Sequence, residues 1–99
     1  MNNPSSRSKK RYIYFDIISD EKIFKDEIKD SICSKTLEFL GQEGLAKAGI
    51  HLVNEQIVRV DSDFKDNMIL ILSMIRKINN KRVFFNTLKT SGSIKKVKN

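Results

Sequence analysis

The sequence predicts an α+β sandwich in which two helices cover one face of an antiparallel sheet, in the order β-α-β-β-α-β. Three observations carry that expectation. Arg11 to Ser19 (RYIYFDIIS) alternates, with Ile13, Phe15 and Ile17 on one side and Tyr12, Tyr14 and Asp16 on the other, the period of a half-buried strand. Two stretches, Lys22 to Leu40 and Phe64 to Ile78, instead place apolar residues at helical spacing. From Lys81 the chain returns to a strand-like run, where Val83, Phe84, Phe85, Thr87 and Leu88 supply the β-branched and aromatic residues that suit a pleated surface.

Taken in order, Met1 to Ser8 is polar, holds the single proline and reads as a loose arm. Residues 1–10 are therefore expected to form a flexible basic arm and residues 11–99 one folded domain. After the first strand, Ser19 or Asp20 is placed to cap a helix, with Glu21 and Asp26 near its positive end. Phe24, Ile28, Ile32, Thr36 and Phe39 or Leu40 share one face of that helix. Gly41 is expected to end it, with Gln42 to Ala48 forming a short extra turn. Ile50 to Asn54 and Ile57 to Asp61 read as two strands joined by a tight turn. Asp61, Ser62 and Asp63 offer caps for the second helix, whose apolar residues are Phe64, Met68, Ile71, Leu72, Ile75 and Ile78. Asn79-Asn80 then turns the chain into its last strand, which breaks at Ser91-Gly92. Gly92 is expected to take a positive φ there. This is the order of the ferredoxin-like or RNA-recognition-type sandwich. In that topology the first and last strands are antiparallel neighbours, so Arg7 to Arg11 would lie beside Lys89 to Lys98.

Charge gives the arrangement its meaning. The net charge is +7, yet it is unevenly spread. Residues 1–11 carry +4 with no acid, residues 12–80 carry −3, and residues 81–99 carry +6 with no acid. A localised cationic field of this kind attracts a polyanion. Ninety-nine residues make one domain with one modest core, burying roughly 60–65% of its unfolded surface and leaving little room for a deep cleft. The longest apolar run, Met68 to Leu72, is far too short to span a membrane. Cys33 is the only cysteine, which excludes an internal disulfide and suits a reducing cytoplasm.

The residue pattern points to nucleic-acid binding without catalysis. Phosphate neutralisation by Lys and Arg supplies affinity that carries no sequence information. The expected contacts are Arg7, Lys9, Lys10, Arg11, Tyr12, Lys89, Ser91, Gly92, Lys95, Lys96 and Lys98. Tyr12 and Tyr14, on the open sheet face, suit stacking with unpaired bases, or simply cover the sheet. The strand IVRVD lacks the Gly- and aromatic-rich signature of an RNA-recognition motif. Gly41-Gln42-Glu43-Gly44 matches the GxxG of a KH domain, although Glu43 would then face phosphate. Asp61, Asp63 and Asp66 lack the central Gly and closing Glu of a calcium loop and read better as helix caps. His51 and Cys33 have no partners at metal-ligand spacing, and no cofactor is expected. Two other classes compete: a small-molecule regulatory domain of ferredoxin-like fold, and a binding module for an acidic protein.

Several stretches carry a family resemblance: RYIYFDIIS, LGQEGLAKAGIHLV, IVRVD and NTLKTSGSIKKVK. With these the chain resembles the archaeal ribonuclease P protein component 2 family, which is related to the eukaryotic subunit shared by ribonucleases P and MRP. The likeness runs from about Arg11 to Lys98, and its most specific part is the closing Thr-Leu-Lys-x-Ser-Gly-x-Ile-Lys-Lys. The family often has Arg where Lys89 stands. The resemblance implies a noncatalytic subunit of a ribonucleoprotein, in which the RNA and its magnesium remove the 5′ leader of precursor tRNA. It also implies ribonuclease P RNA as a partner, a TIM-barrel-like ribonuclease P protein beside other subunits, and a capacity to form homodimers.

Overall fold

The computed structural model describes residues 9–94. Its elements are β1 (Lys10–Ser19), α1 (Lys25–Ala48), β2 (His51–Asn54), β3 (Ile57–Asp61), a 3-10 turn (Ser62–Phe64), α2 (Lys65–Met74), β4 (Lys77–Ile78) and β5 (Lys81–Ser91). The strands form one sheet in the order β2-β3-β1-β5-β4, with every neighbouring pair antiparallel. Both helices pack on one face, giving the ferredoxin-like α+β fold. β1 lies at the centre and pairs along its length with β5, from Tyr12 opposite Ser91 to Ser19 opposite Val83.

Alternation in the strands sorts their side chains cleanly. Ile13 and Phe15 of β1, Val58 and Val60 of β3, and Val83 and Phe85 of β5 point into the core beside Ile28 and Ile32 of α1 and Met68, Ile71 and Leu72 of α2. The rings of Phe15 and Phe85 meet across β1 and β5 with centroids 5.3 Å apart. Thr36 is fully buried, and its hydroxyl donates to the Ile32 carbonyl at 2.7 Å, which satisfies it within its own helix. The intervening residues Tyr12, Tyr14, Arg59, Phe84 and Asn86 therefore line the opposite, open face. Between Tyr14 and Phe15 the register slips, so that Leu88 is an extra residue in β5, a bulge.

Several elements differ from the sequence expectation. Gly41 does interrupt α1, as expected: it takes φ 79° and ψ 177°, outside helical geometry, and Gln42 to Ala48 form a further helical segment closed by Gly49 as a left-handed cap (φ 59°). The GxxG begins at this break between two helical segments, but Gln42 to Gly44 are themselves helical, so it forms no loop. Neither Ser19 nor Asp20 caps α1. The cap position is Phe24, and the Glu27 carboxylate reaches back to accept from the Phe24 N–H at 3.0 Å. α2 stops at Met74, four residues short of Ile78, because Lys77–Ile78 leaves the helix to pair with Lys81 and Arg82. Asn79 and Asn80 both adopt positive φ (49° and 69°), the pair of left-handed residues that a tight hairpin turn requires. Among the described residues the sheet accordingly has five strands, one more than expected. The Asp61 side chain caps no helix; it pairs with Lys10 instead.

Candidate nucleic-acid interface

Because β1 and β5 run antiparallel, the start of one and the end of the other meet at a single sheet corner. Lys10 opens β1, and the Lys9 carbonyl accepts from the Ser62 N–H at 2.7 Å, so both residues belong to the folded domain and not to the arm. Lys10 sits opposite Asp61 of β3, and the two form an ion pair at 2.5 Å. Arg11 reaches across to β5, where a side chain built on Gly92 would lie 2.6 Å from a guanidinium nitrogen. Lys89 stands opposite Tyr14, and Ser91 opposite Tyr12. The strand end is held by Ser91, whose hydroxyl donates to the Ser93 carbonyl at 2.8 Å and accepts from the Ser93 N–H at 3.2 Å.

Of the expected contact residues, Lys9, Lys10, Arg11, Tyr12, Lys89, Ser91 and Gly92 thus converge at this corner. Arg7, Lys95, Lys96 and Lys98 lie outside the described residues. One reason given for Gly92 is corrected: its φ is not positive. Its lack of a Cβ serves instead to admit the Arg11 guanidinium.

The sheet adds cations that sequence reasoning did not single out. Arg59 of β3 faces Tyr12 on one side and His51 of β2 on the other, all on the open face. The alternation Val58-Arg59-Val60 pointed Arg59 outward, but its neighbours follow only from the strand order. The Arg59 Nε–H is buried and has no hydrogen-bond acceptor among the described residues.

Two of the acids on this side of the sheet have partners. Asp61 is held by Lys10, and one Asp16 carboxylate oxygen accepts from the Gln56 amide at 3.2 Å. At the far end of the sheet, Glu27 accepts from the Phe24 N–H, from Asn79 Nδ2 at 2.9 Å and from Lys81 Nζ at 3.2 Å. These bonds, the backbone N–H first, hold its carboxyl at about 2, well below the usual range. Burial pushes the Cys33 thiol up, so little of it is present as the reactive thiolate. Among the described residues no group of three or more His, Cys, Asp or Glu is placed to hold a metal ion, and no helix is long and apolar enough to cross a membrane.

Fold and corner together define a class: a small α+β sandwich whose open sheet face ends in clustered cations. Comparison narrows it. The Rpp14/Pop5 family model matches residues 11–99, and the chain belongs to that family. It is 38% identical to Ribonuclease P protein component 2 of Pyrococcus horikoshii, over 96% of this chain and 84% of that protein. It is 34% identical to the protein of the same name from Archaeoglobus fulgidus, over 96% and 90% of the two chains. Its fold matches a chain in the cryo-EM structure of yeast Ribonuclease MRP with a TM-score of 0.66, at 15% identity, covering 89% of this chain and 77% of that one.

Proposed function

We propose that this chain is a noncatalytic protein subunit of ribonuclease P, which binds and stabilises the catalytic RNA for removal of the 5′ leader from precursor tRNA in the cytoplasm. The observation that carries the reading is the meeting of Lys9, Lys10 and Arg11 with Lys89 at one corner of the sheet in a member of the Rpp14/Pop5 family. Charges fixed on paired strands lose less conformational freedom on meeting phosphate than charges on a loose tail. Held this way, they replace part of the cation screening that a folded polyanion requires. Hydrolysis belongs to the RNA and the magnesium it binds. The chain works beside a TIM-barrel-like ribonuclease P protein and other subunits, and pairs with a second copy of itself.

Reconstitution tests this. Added with its protein partner to the cognate ribonuclease P RNA, the chain should raise precursor-tRNA cleavage at limiting magnesium, and the gain should shrink as magnesium rises. The chain alone should cleave nothing. Asp61→Asn and Asp63→Asn should leave the particle's cleavage rate nearly unchanged. Loss of cleavage in a folded, RNA-bound particle carrying either substitution would make the noncatalytic assignment wrong.

A further inference from the structure

We infer that the open face beside the basic corner is a seat for unpaired nucleotides, formed by the row His51–Arg59–Tyr12–Ser91 with Tyr14 and Lys89 in the row beside it. This rests on the RNA-binding reading above and adds to it a second, chemically different contact. The register builds the row directly: His51 lies opposite Arg59, Arg59 opposite Tyr12, and Tyr12 opposite Ser91. The flanking residues Leu52, Val58, Val60 and Ile13 all enter the core, which sends the row to the other side of the sheet.

The chemistry suits a base and its phosphate better than a phosphate alone. Tyrosine rings offer faces on which any base can stack, and a guanidinium is planar, stacks equally well, and presents a fork of donors. Residues two apart on β1, Tyr12 and Tyr14, stand about 6.8 Å apart along the strand, room for separate platforms. Arg59 adds a particular incentive. Its Nε–H lacks an acceptor among the described residues and is shielded in the free chain, so a phosphate or base oxygen would reach it only as the guanidinium turns to meet the ligand. Charge fixes the occupant's sign. Asp61 beside the row is neutralised by Lys10, and Asp16, next on this face beyond Tyr14, is bonded to the Gln56 amide, so Arg59 and Lys89 are the charges at the row that face an anion. A duplex buries its base faces and offers only phosphate, whereas a single strand satisfies both kinds of group.

The chain carries its own reporter. It has two tyrosines and no tryptophan, and both tyrosines are in this patch. Titration of the full chain with a ten-nucleotide oligouridylate, followed by tyrosine emission, should therefore show quenching. A blunt RNA duplex with the same number of phosphates should bind through the basic corner with little quenching. Arg59→Leu should weaken single-strand binding about tenfold, the loss of one stacked base, and change duplex binding less than about twofold. Arg59→Lys, which keeps the charge but not the plane, should lose most of the same single-strand affinity. Tyr12→Phe should keep it. Thermal melts of each variant establish that it is folded.

Equal weakening of single strand and duplex by Arg59→Leu would make Arg59 one more phosphate contact and overturn the inference, as would binding of the oligouridylate with no change in emission. Emission that responds to the ribonuclease P protein partner and not to RNA would make this face a protein interface, again overturning it. Failure to bind either RNA would count against the RNA-binding reading itself.

Discussion

The two ends of the open sheet face are built from the same two strands and differ in kind. At one end, β1 and β5 present Lys10, Tyr12 and Lys89, with Arg59 added from β3 and Arg11 on the helix-covered side of the same edge. At the other, Ile18 stands opposite Phe84, and both are largely exposed, at 60% and 43%. Arg76, Arg82 and Asp20 stand beside this pair, and the Arg76 guanidinium lies 5.6 Å from the centroid of the Phe84 ring, so one of the two cations there is engaged by an aromatic face. Beneath both ends runs one continuous core through Phe15 and Phe85. What the contrast teaches is that strand direction, not composition, decides where charge accumulates: antiparallel pairing of the first and last strands brings Lys10 and Arg11 to the same end as Lys89, far away in sequence, and leaves an apolar pair at the opposite end.

The largest expected effect falls on the cationic end. Replacing Arg11 and Lys89 together by Ala should lower affinity for ribonuclease P RNA by about two orders of magnitude, since each charge-assisted contact is worth about 1.5–3 kcal/mol. Filter binding at one fixed salt concentration measures it. Phe84→Ser at the apolar end should leave that affinity within about twofold, as expected for a side chain that carries no charge to phosphate. A comparable fall in affinity from Phe84→Ser would erase the distinction between the ends.

A pH difference comes next, and it belongs to the apolar end, where Glu27 ties the start of α1 to Asn79 and Lys81 of the β4–β5 hairpin. Lys22 and Lys81 flank the Phe24 ring at 5.8 and 5.7 Å in the same cluster. The Glu27 carboxyl is depressed to about 2, below the ordinary value near 4.5. Its stabilising contribution is therefore complete above that ordinary value and is lost as pH falls toward 2. Glu27→Gln should be less stable than the parent at about pH 7, and the gap should close between pH 4.5 and 2 in urea melts. A constant gap across that range would show that ionised Glu27 is not what holds the hairpin.

Smaller effects follow from single side chains. Phe84→Ser should cost about 1 kcal/mol of stability by removing its cross-strand pairing with Ile18. Gly92→Ala should shift stability by less than about 0.5 kcal/mol, because the new Cβ meets only the movable tip of Arg11. RNA affinity should still fall a few-fold as that guanidinium is displaced. A melting temperature that drops while affinity holds would mean that Gly92 serves the backbone and not Arg11.

Much of this architecture is legible in the sequence where a single physical rule acts over several residues. The alternation of β1 assigns Ile13 and Phe15 to the core and Tyr12 and Tyr14 to the open face, and the order of elements brings Lys10 and Arg11 to the same end of the sheet as Lys89. Expectation departs from structure where rules compete. Ile71, Ile75 and Ile78 keep a helical period past the true end of α2, so a two-residue strand, too short for any period of its own, is hidden inside it. Gly41 breaks helical geometry, as a glycine signal implies, and a further helical segment follows it to Ala48. Arg59 shows the limit most clearly. Its outward direction follows from IVRVD, whereas its position between His51 and Tyr12 depends on which strands are neighbours.

The salt dependence of RNA affinity is the most direct test that the cationic end binds the RNA. Plotted as the logarithm of affinity against the logarithm of salt concentration, the parent chain should give a steep negative slope. The Arg11→Ala, Lys89→Ala double variant should give one shallower by about 1.5, from roughly 0.7–0.9 for each phosphate no longer neutralised. Phe84→Ser should run parallel to the parent. A double variant whose line is parallel to the parent's would contradict the account, because charges that touch phosphate cannot be removed without changing that slope.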